Sequence, residues 1–353
     1  PFAGEIADGC IYGRGTEDCK SVLTSEMDAI TELLEEGFDP DFDIYLSFGH
    51  DEEVQCTDDK KGSVLAAKYL EDHGVKAYCI FDEGGHVEAV GYHGNERPVA
   101  LVGLAEKAPN EYVLYKEGAG GHASKPGNGT VLGDVARAIA AVEAHPMPYR
   151  LIPLVKAHLK ALAESVADKK VAKLYAHPKK HWDDIVNLAK HDRELDAKLH
   201  TTFAVTMAEA SAQANVLPSH AEATMSVRIL QGDTVASVKH YLESIMPCDV
   251  QVKATFAEDP KPAGSVESEA YHLMSETIYD IFGKETLIVP NLMLGASDSR
   301  NYAKVSDNVF RFSGRLKTEQ WGEAHQVDER MPTEHLGVPV QFFKAFLKKY
   351  SEK

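Results

Sequence analysis

Acidic side chains gather at three places in the N-terminal part of the chain, where they could hold metal ions. Two pairs, Glu52-Glu53 and Asp82-Glu83, each follow a short apolar segment, and Asp18 lies in a glycine-bearing loop that opens a helical pattern. Carboxylates brought together repel one another strongly unless cations neutralise them. Zinc accepts oxygen and imidazole ligands, and two neighbouring metal ions can share a bridging carboxylate. Because one of two adjacent glutamates can bind metal while the other acts as a base, the pattern indicates a two-metal hydrolytic site.

Each of these acids has an ordinary explanation when it is taken alone. A Glu-Glu pair at a strand end of an acidic protein is usually part of a solvated loop, and an aspartate near a helix start is a common cap. Their joint appearance at consecutive strand ends favours the metal site over both explanations.

The segments around the acids predict an α/β sheet that would bring them together. Apolar residues at helical spacing predict helices over Lys20–Glu36 and Gly62–Asp72, each closed by a glycine. Alternation and a short apolar run predict strands over Asp43–Gly49 and Ala77–Phe81. Open α/β sheets bind their ligands at the carboxyl ends of the strands, which is where both acidic pairs would then lie.

The middle of the chain predicts a smaller domain inserted into this α/β domain. Its elements follow the βαββαβ order of a ferredoxin-like fold, with strands at Glu111–Tyr115, Phe203–Met207, Ala221–Ile229 and Val250–Phe256 and helices at Val131–Glu143 and Val235–Ile245. A charged, helix-prone insert occupies Leu151–Leu199, and the pattern of the larger domain resumes at Ser265 and ends in a helix over Val338–Tyr350. We therefore expect residues 1–97 and 261–353 to form a catalytic zinc-binding domain. Residues 98–260 would form a smaller lid domain with a helical insert at about 150–200.

The composition disfavours several classes of function. The chain has 353 residues and a formal net charge of −18, from 55 acidic and 37 basic residues, which disfavours binding to nucleic acid and to anionic membranes. No apolar run reaches the length of a membrane span. Five scattered cysteines without a CxxC pair argue against a disulfide framework and against a thiolate zinc site. The sequence does not determine the compartment, and a cytoplasmic location is the expectation.

Further motifs extend this pattern and together resemble one family of enzymes. In chain order they are the stretch from Pro1-Phe2 through Gly13-Arg14-Gly15 to Asp18 and Lys20, then Phe48-Gly49-His50-Asp51-Glu52-Glu53, Phe81-Asp82-Glu83-Gly84-Gly85, Gly120-Gly121-His122-Ala123-Ser124-Lys125-Pro126, Asn215-Val216-Leu217-Pro218, Gly295-Ala296-Ser297-Asp298-Ser299-Arg300 and His325-Gln326-Val327-Asp328-Glu329. On these residues the chain resembles the zinc-dependent aminoacylase and carboxypeptidase family, especially its carboxypeptidase S branch with the Gly-Xaa carboxypeptidases. The resemblance spans nearly the whole chain. It implies a mixed-sheet di-zinc peptidase domain with an inserted ferredoxin-like lid.

The resemblance also implies which residues bind metal. Asp18 would bridge two zinc ions, for which Co²⁺ or Mn²⁺ could substitute. Glu53 would bind one of the two metals, and His325 would complete the set as an imidazole ligand. Either Asp82 or Glu83 would bind the other metal, and the motif leaves that choice open.

The remaining matched residues would act on the substrate. Glu52 would be the general base, and the substrate contacts would be His122, Asn215, Arg228, Gly295, Ser297 and Arg300. His122 would reach the active site of the partner subunit, so the resemblance implies a homodimer formed through the lid. Arg228 and Arg300 are natural carboxylate binders because a guanidinium group meets a carboxylate with two parallel hydrogen bonds.

The implied reaction is hydrolysis of an amide bond next to a free carboxylate. It would release the carboxyl-terminal amino acid of a short peptide or cleave an N-acyl amino acid. One alternative is a dipeptidase or aminopeptidase of the same fold, and the other is a non-catalytic dimer that binds peptides or acyl-amino acids.

The chain departs from the family pattern in three places. The family has a strand and a His-x-Asp segment upstream of the position of Pro1, including a histidine ligand to one zinc. We therefore expect that an N-terminal part is absent from the given chain, that the missing piece lies elsewhere, or that this copy is degenerate. Gln55-Cys56 replaces the usual glycines after the Glu-Glu pair, and Asp328-Glu329 replaces the more usual Asn-Glu.

Overall fold

The computed structural model describes residues 2–54, 61–89 and 91–353; Pro1, Gln55 and Cys56 of the motifs above lie outside this part. Its strands are β1 Glu5–Ala7, β2 Cys10–Tyr12, β3 Ile80–Glu88, β4 Val99–Glu106, β5 Ala108–Glu117, β6 Gly121–His122, β7 Thr202–Glu209, β8 Val216–Leu217, β9 His220–Ile229, β10 Gln251–Phe256, β11 Leu287–Met293, β12 Val309–Lys317 and β13 Arg330–Pro332. Its α-helices are α1 Lys20–Glu35, α2 Gly62–Asp72, α3 Val131–Ala144, α4 Pro153–Leu162, α5 Lys169–Ala176, α6 Trp182–Ala189, α7 Arg193–Leu199, α8 Val235–Ile245, α9 Glu269–Phe282 and α10 Gly337–Ser351. Among the described residues, no helix combines the length and the apolar character that crossing a membrane requires.

A mixed four-stranded sheet in the order β11-β4-β12-β3 organises the larger core. β11 runs parallel to β4 and β12 runs parallel to β3, whereas β3 and β12 meet β4 in antiparallel pairings. Every residue of β4 is buried, as expected for a strand whose sheet is covered on both faces. Helices α1, α9 and α10 pack together beside this sheet, and α4 packs against β11. The predicted α/β arrangement of the larger domain is therefore confirmed.

A second four-stranded sheet, in the order β10-β5-β9-β7, forms the smaller domain. All of its pairings are antiparallel, and α3 and α8 pack on the sheet. The alternate residues of β9 that face these helices are buried, which explains the period of two in the sequence. Thr130 and Thr234 cap α3 and α8 through their side-chain oxygens. This arrangement confirms the predicted ferredoxin-like domain.

Two details of packing differ from the expected division into domains, which otherwise stays a prediction. Residues 99–106 form β4 and pair with β11, so this strand belongs to the larger sheet and not to the lid. Apolar residues of α4–α7, among them Leu159, Ile185 and Leu199, are buried in the same core as the larger sheet. The helical insert therefore covers the larger domain, because its apolar faces pack against the core of that domain.

Two predicted strands also differ from the structure. The segment 43–49 forms no ladder with any strand of the described residues, and Ile44, Tyr45, Leu46 and Phe48 are 38%, 52%, 41% and 49% exposed. A strand requires a neighbour for its backbone groups, which alternation in the sequence cannot supply. The strand predicted to end at Phe81 instead begins at Ile80 and runs to Glu88. Its pairing with β12 skips from Asp82 to Gly85, so Glu83 and Gly84 form a bulge within the strand and not a loop beyond it.

A small sheet, β1-β2-β13, joins the two ends of the chain near the acidic residues. Arg330 pairs with Tyr12 and Met331 with Ile11 in antiparallel register. The N–H of Gly13 donates to the carbonyl oxygen of Glu329 at 3.1 Å. This pairing holds the loop of Asp18 against the segment that carries His325, although the two are far apart in the sequence.

We predict that Gly85→Ala destabilises the fold by about 1–3 kcal/mol, the usual cost of overpacking a core. A Cβ at this position would lie 1.8 Å from the carbonyl oxygen of Leu101 and 2.7 Å from that of Arg311, so the backbone would have to move. Gly337→Ala is the matched control because a Cβ at the start of α10 meets no atom of the described residues within 4 Å. Chemical denaturation measures both changes, and equal stability of the two variants would contradict this account of β3.

Candidate metal centre

Asp18, Glu53 and His325 form the first group of donor atoms. Nε2 of His325 lies 2.8 Å from Oδ2 of Asp18 and 2.9 Å from Oε1 of Glu53. Hydrogen bonds to these two carboxylates raise the pKa of His325. One donor atom from each residue lies within 4.8 Å of the others. Three elements contribute, since Asp18 precedes α1, Glu53 follows the 43–49 segment and His325 precedes β13.

Asp18, Cys19 and Glu83 form a second group with the same 4.8 Å limit. Burial raises the pKa of Glu83 to about 9, and a hydrogen bond with Asp18 and the charge of Asp82 add to the shift. A bound cation would act in the opposite direction by stabilising the ionised carboxylates. Cys19 belongs to this group, whereas the sequence argued against a cysteine as a zinc ligand. Its position directly after Asp18 is the feature of the sequence that could have indicated it.

The donor set fits a pair of divalent metal ions. Asp18 is common to both groups, which is the arrangement that a bridging carboxylate needs. Carboxylate oxygens and an imidazole nitrogen are ligands that zinc accepts. Of the two acids that the motif left open, Glu83 lies in a donor group, whereas Asp82 lies in neither group found among the described residues. Oδ1 of Asp82 instead accepts the N–H of Glu83 at 2.8 Å.

Glu52 lies beside the donor groups with its side chain partly buried. Burial, the charge of Asp298 and that of Glu53 raise the pKa of Glu52 to about 7, against the opposing effect of Lys61. Lys61 fixes this loop, because its Nζ donates to the carbonyl oxygen of Glu52 at 3.0 Å and lies 3.0 Å from Oδ1 of Asp298. A carboxyl group with a pKa near neutrality can both accept and return a proton.

Glu329 organises the loop that carries Asp18. Its Oε1 accepts the backbone N–H groups of Gly15, Glu17 and Asp18 at 2.9, 2.8 and 3.1 Å, and its Oε2 accepts Nη1 of Arg14 at 2.9 Å. Glu329 is 3% exposed, so these hydrogen bonds form away from solvent. Glu329 belongs to one of the sequence motifs, but the sequence predicts no role for it. Its contacts lie more than three hundred positions away in the chain, and no local signal indicates them.

Two arginines lie close to Glu52 at the boundary between the two domains. Arg228, on β9, has a guanidinium group with no hydrogen bond or ion pair to any described residue; burial and then the charge of Arg300 lower its pKa. Arg300, in the short 3-10 helix Asp298–Tyr302, donates from Nε to Oε2 of Glu258 at 3.2 Å and from Nη1 to the carbonyl oxygen of Ser297. The two arginines predicted to bind a carboxylate therefore differ in their contacts, since Arg300 already pairs with the carboxylate of Glu258.

Ser297 and Gly295 occupy different environments. The backbone N–H and the hydroxyl group of Ser297 both donate to Oε2 of Glu106 at 3.2 Å, and the side chain is fully buried. Gly295 is exposed. Ser297 thus contacts a glutamate of β4, and its hydroxyl group does not face solvent. Its predicted contact with substrate stays untested.

His122 and Asn215 lie together on the lid. β6 pairs with β8, and the N–H of Ala123 donates to the carbonyl oxygen of Asn215 at 3.0 Å. Nδ1 of His122 lies 2.8 Å from Oγ of Ser124, and both His122 and Asn215 are exposed. Within the described part of the chain, neither side chain contacts the metal-centre residues by a hydrogen bond. Their predicted contact with substrate, including that of His122 in trans, stays a prediction.

The fold and the donor groups together define a metal-dependent peptidase. The chain belongs to peptidase family M20/M25/M40, whose family model matches residues 1–349. It is therefore an enzyme of the metallopeptidase type, and the resemblance deduced from the motifs is confirmed.

Curated relatives and solved structures match nearly the whole chain. It is 31% identical to the N-fatty-acyl-amino acid synthase/hydrolase PM20D1.1 of Danio rerio, over 97% of this chain and 67% of the relative. It is 28% identical to the probable carboxypeptidase S-like 2 of Dictyostelium discoideum, over 99% of this chain and 67% of the relative. The M20 family metallo-carboxypeptidase Sso-CP2 of Sulfolobus solfataricus has the same fold, with a TM-score of 0.69 and 19% identity over 100% of this chain and 80% of that structure.

We predict that Glu329→Gln weakens zinc binding by about tenfold, in the range seen when a residue that positions metal ligands is replaced. The amide would keep one acceptor for the loop but would turn its NH₂ group towards the guanidinium of Arg14. Competition with a chelator measures the affinity. Asp328→Asn is the control, because Asp328 is largely exposed and pairs with Arg330 two positions away. Equal zinc affinity of Glu329→Gln and the unmodified protein would show that the loop does not depend on this carboxylate.

Proposed function

We propose that this protein hydrolyses an amide bond next to a free carboxylate, releasing the carboxyl-terminal amino acid of short peptides or cleaving N-acyl amino acids. The observation that carries the proposal is the position of Asp18, which is shared by two donor groups beside the partly buried Glu52. The names of the relatives support it, since they describe an N-fatty-acyl-amino acid synthase/hydrolase and a carboxypeptidase S-like protein.

Asp18, Glu53, Glu83 and His325 are the residues that would hold the two metal ions, which we propose to be zinc. Such a pair, when bound, lowers the pKa of a water molecule and polarises the scissile carbonyl group. Glu52 takes a proton from the attacking water and returns it to the leaving amine. Its raised pKa supports this role, because a carboxylate with an ordinary pKa would be a weaker base.

Arg228 is the better candidate of the two arginines for the substrate's carboxylate. Its guanidinium group is half-buried and has no partner among the described residues, so a substrate carboxylate would complete its hydrogen bonds. The charge of Glu52 also acts on Arg228, which supports a position on the same side of the site as the proposed base. Binding of a free carboxylate by Arg228 favours a carboxypeptidase or an acyl-amino-acid hydrolase over an aminopeptidase.

A homodimer formed through the lid is the assembly that this proposal requires. His122 and Asn215 are exposed on the lid and do not reach the metal centre within the described part of the chain. In the partner subunit's active site, His122 would donate to the oxyanion that forms on the scissile carbonyl. β7 is an edge strand of the lid sheet, and its Met207 is 57% exposed, which leaves this face open to a second copy.

We predict that Glu52→Gln lowers kcat by at least about a hundredfold, the contribution of a general base, and leaves about two zinc ions per chain bound. Glutamine has nearly the same shape but cannot accept the proton. Glu53→Gln is the comparison, because it removes a proposed ligand and should lower the zinc content itself. Elemental analysis and steady-state kinetics on the native protein give both readouts. Normal turnover by the Glu52 variant would remove it from the mechanism.

We predict that hydrolysis requires a free carboxylate on the substrate and not a free amine. A panel of N-acetyl amino acids and dipeptides should be cleaved, whereas the same compounds with a carboxyl-terminal amide should not. Arg228→Met should raise KM for the carboxylate substrates about ten- to hundredfold, since it removes a charged hydrogen-bond pair. Arg137→Met, at an exposed arginine of α3, is the control. Cleavage of the amides together with a requirement for a free amine would favour the aminopeptidase alternative.

A further inference from the structure

Arg300 is occupied by a carboxylate of the protein itself. Its Nε lies 3.2 Å from Oε2 of Glu258, and its Nη1 lies 3.9 Å from Oε1 of Glu106. Glu106 is already engaged elsewhere, because its Oε2 accepts Nε of Arg311 at 3.0 Å and is fully buried with it. Glu258 is the more accessible of the two partners, with 20% of its side chain exposed against 3% for Glu106.

Glu258 also contacts a second cationic side chain, that of Lys261. Nζ of Lys261 lies 3.1 Å from Oε1 of Glu258, so the two carboxylate oxygens contact two different cations. Lys261 is 41% exposed, whereas Arg300 is 11% exposed. If Glu258 leaves Arg300, it can remain paired with Lys261 at the surface, and no buried charge is left without a partner. The exchange of one carboxylate for another on Arg300 therefore has a small electrostatic cost.

The backbone of Glu258 is fixed to the lid. Its N–H donates to Oδ1 of Asn110 and its carbonyl oxygen accepts Nδ2 of Asn110, both at 2.9 Å. Asn110 lies on β5 of the lid sheet, whereas Arg300 belongs to the larger domain. The ion pair thus joins the two domains beside Arg228, the lid arginine that has no partner among the described residues.

We propose, on the basis of the function proposed above, that Glu258 is a specificity-determining residue that occupies Arg300 until a substrate carboxylate displaces it. The incoming carboxylate binds between Arg300 and Arg228, and Glu258 keeps its contact with Lys261. A neutral amide replaces Glu258 poorly, because it would leave Arg300 with only the 3.9 Å contact to Glu106, a carboxylate that also pairs with Arg311. Competition with Glu258 therefore selects substrates that carry a free carboxylate.

Glu258→Gln removes the competitor, so KM for the carboxylate substrates falls by about three- to tenfold, the effect of one partly exposed ion pair. Lys261→Met acts in the opposite direction: KM rises because the displaced Glu258 loses its second partner. A purely structural role for Glu258 predicts a raised KM and a lower melting temperature instead. The sign of the change in KM thus separates the two roles.

The experiment measures kcat, KM and melting temperature for both variants of the full chain, using the N-acetyl amino acid that the unmodified enzyme cleaves fastest. Glu243→Gln and Lys239→Met are matched controls, because this exposed pair on α8 joins a lysine to a glutamate at 3.6 Å far from Arg300. An unchanged or raised KM in a stably folded Glu258→Gln overturns the inference and leaves the proposed hydrolysis standing. An unmodified enzyme that cleaves none of the panel overturns the proposed function, and this inference with it.

Discussion

Repulsion among carboxylates around Asp18 is the constraint on which the rest of this structure depends. Glu53 and Glu83 approach Asp18 from separate elements, and burial raises the pKa of Glu83 to about 9, with Asp18, Asp82 and Glu52 adding to the shift. Such a group is unfavourable in the folded protein unless protons or cations occupy it. The fold holds it in place through contacts that do not involve the acids themselves. Metal binding would then contribute stability in addition to chemistry.

The contacts that oppose this repulsion come from distant parts of the chain. Three backbone N–H groups of the Asp18 loop point at the buried Glu329, and Lys61 holds the Glu52 loop through its carbonyl oxygen. The small sheet of β1, β2 and β13 keeps the segment of His325 beside the same loop. These hydrogen bonds and strand pairings do not involve the carboxylate side chains of the proposed ligands, so they position the loops that carry the acids.

Sequence patterns predicted the elements whose stability is local. The helices α1, α2, α3 and α8 begin and end within a residue or so of the predicted bounds, since their apolar spacing lies within the elements themselves and Thr130 and Thr234 cap α3 and α8. The strands were less predictable. Asp82-Glu83-Gly84-Gly85 looks like a turn, but the structure needs Gly85 inside β3 because the Leu101 carbonyl occupies the place of a side chain. Residues 43–49 alternate like a strand, yet they find no ladder partner in the described chain.

The candidate site also combines residues that local sequence motifs identify with residues whose roles depend on tertiary contacts. Acids at motif positions could be recognised from sequence. The roles of Glu106, Glu258 and Lys107 could not, because they depend on which residues the fold brings into contact with them.

Lys107 is buried at the junction of β4 and β5, where its Nζ donates to the carbonyl oxygens of Ala197 and His200 at 2.9 and 2.8 Å. Burial lowers the pKa of Lys107 to about 7, and Arg228 adds to the shift. The two segments that connect the lid to the larger domain thus each carry a charged residue near Arg228 or Arg300, namely Lys107 between β4 and β5 and Glu258 after β10. A substrate carboxylate bound between Arg228 and Arg300 would therefore bring a negative charge close to the charged residues of both connections.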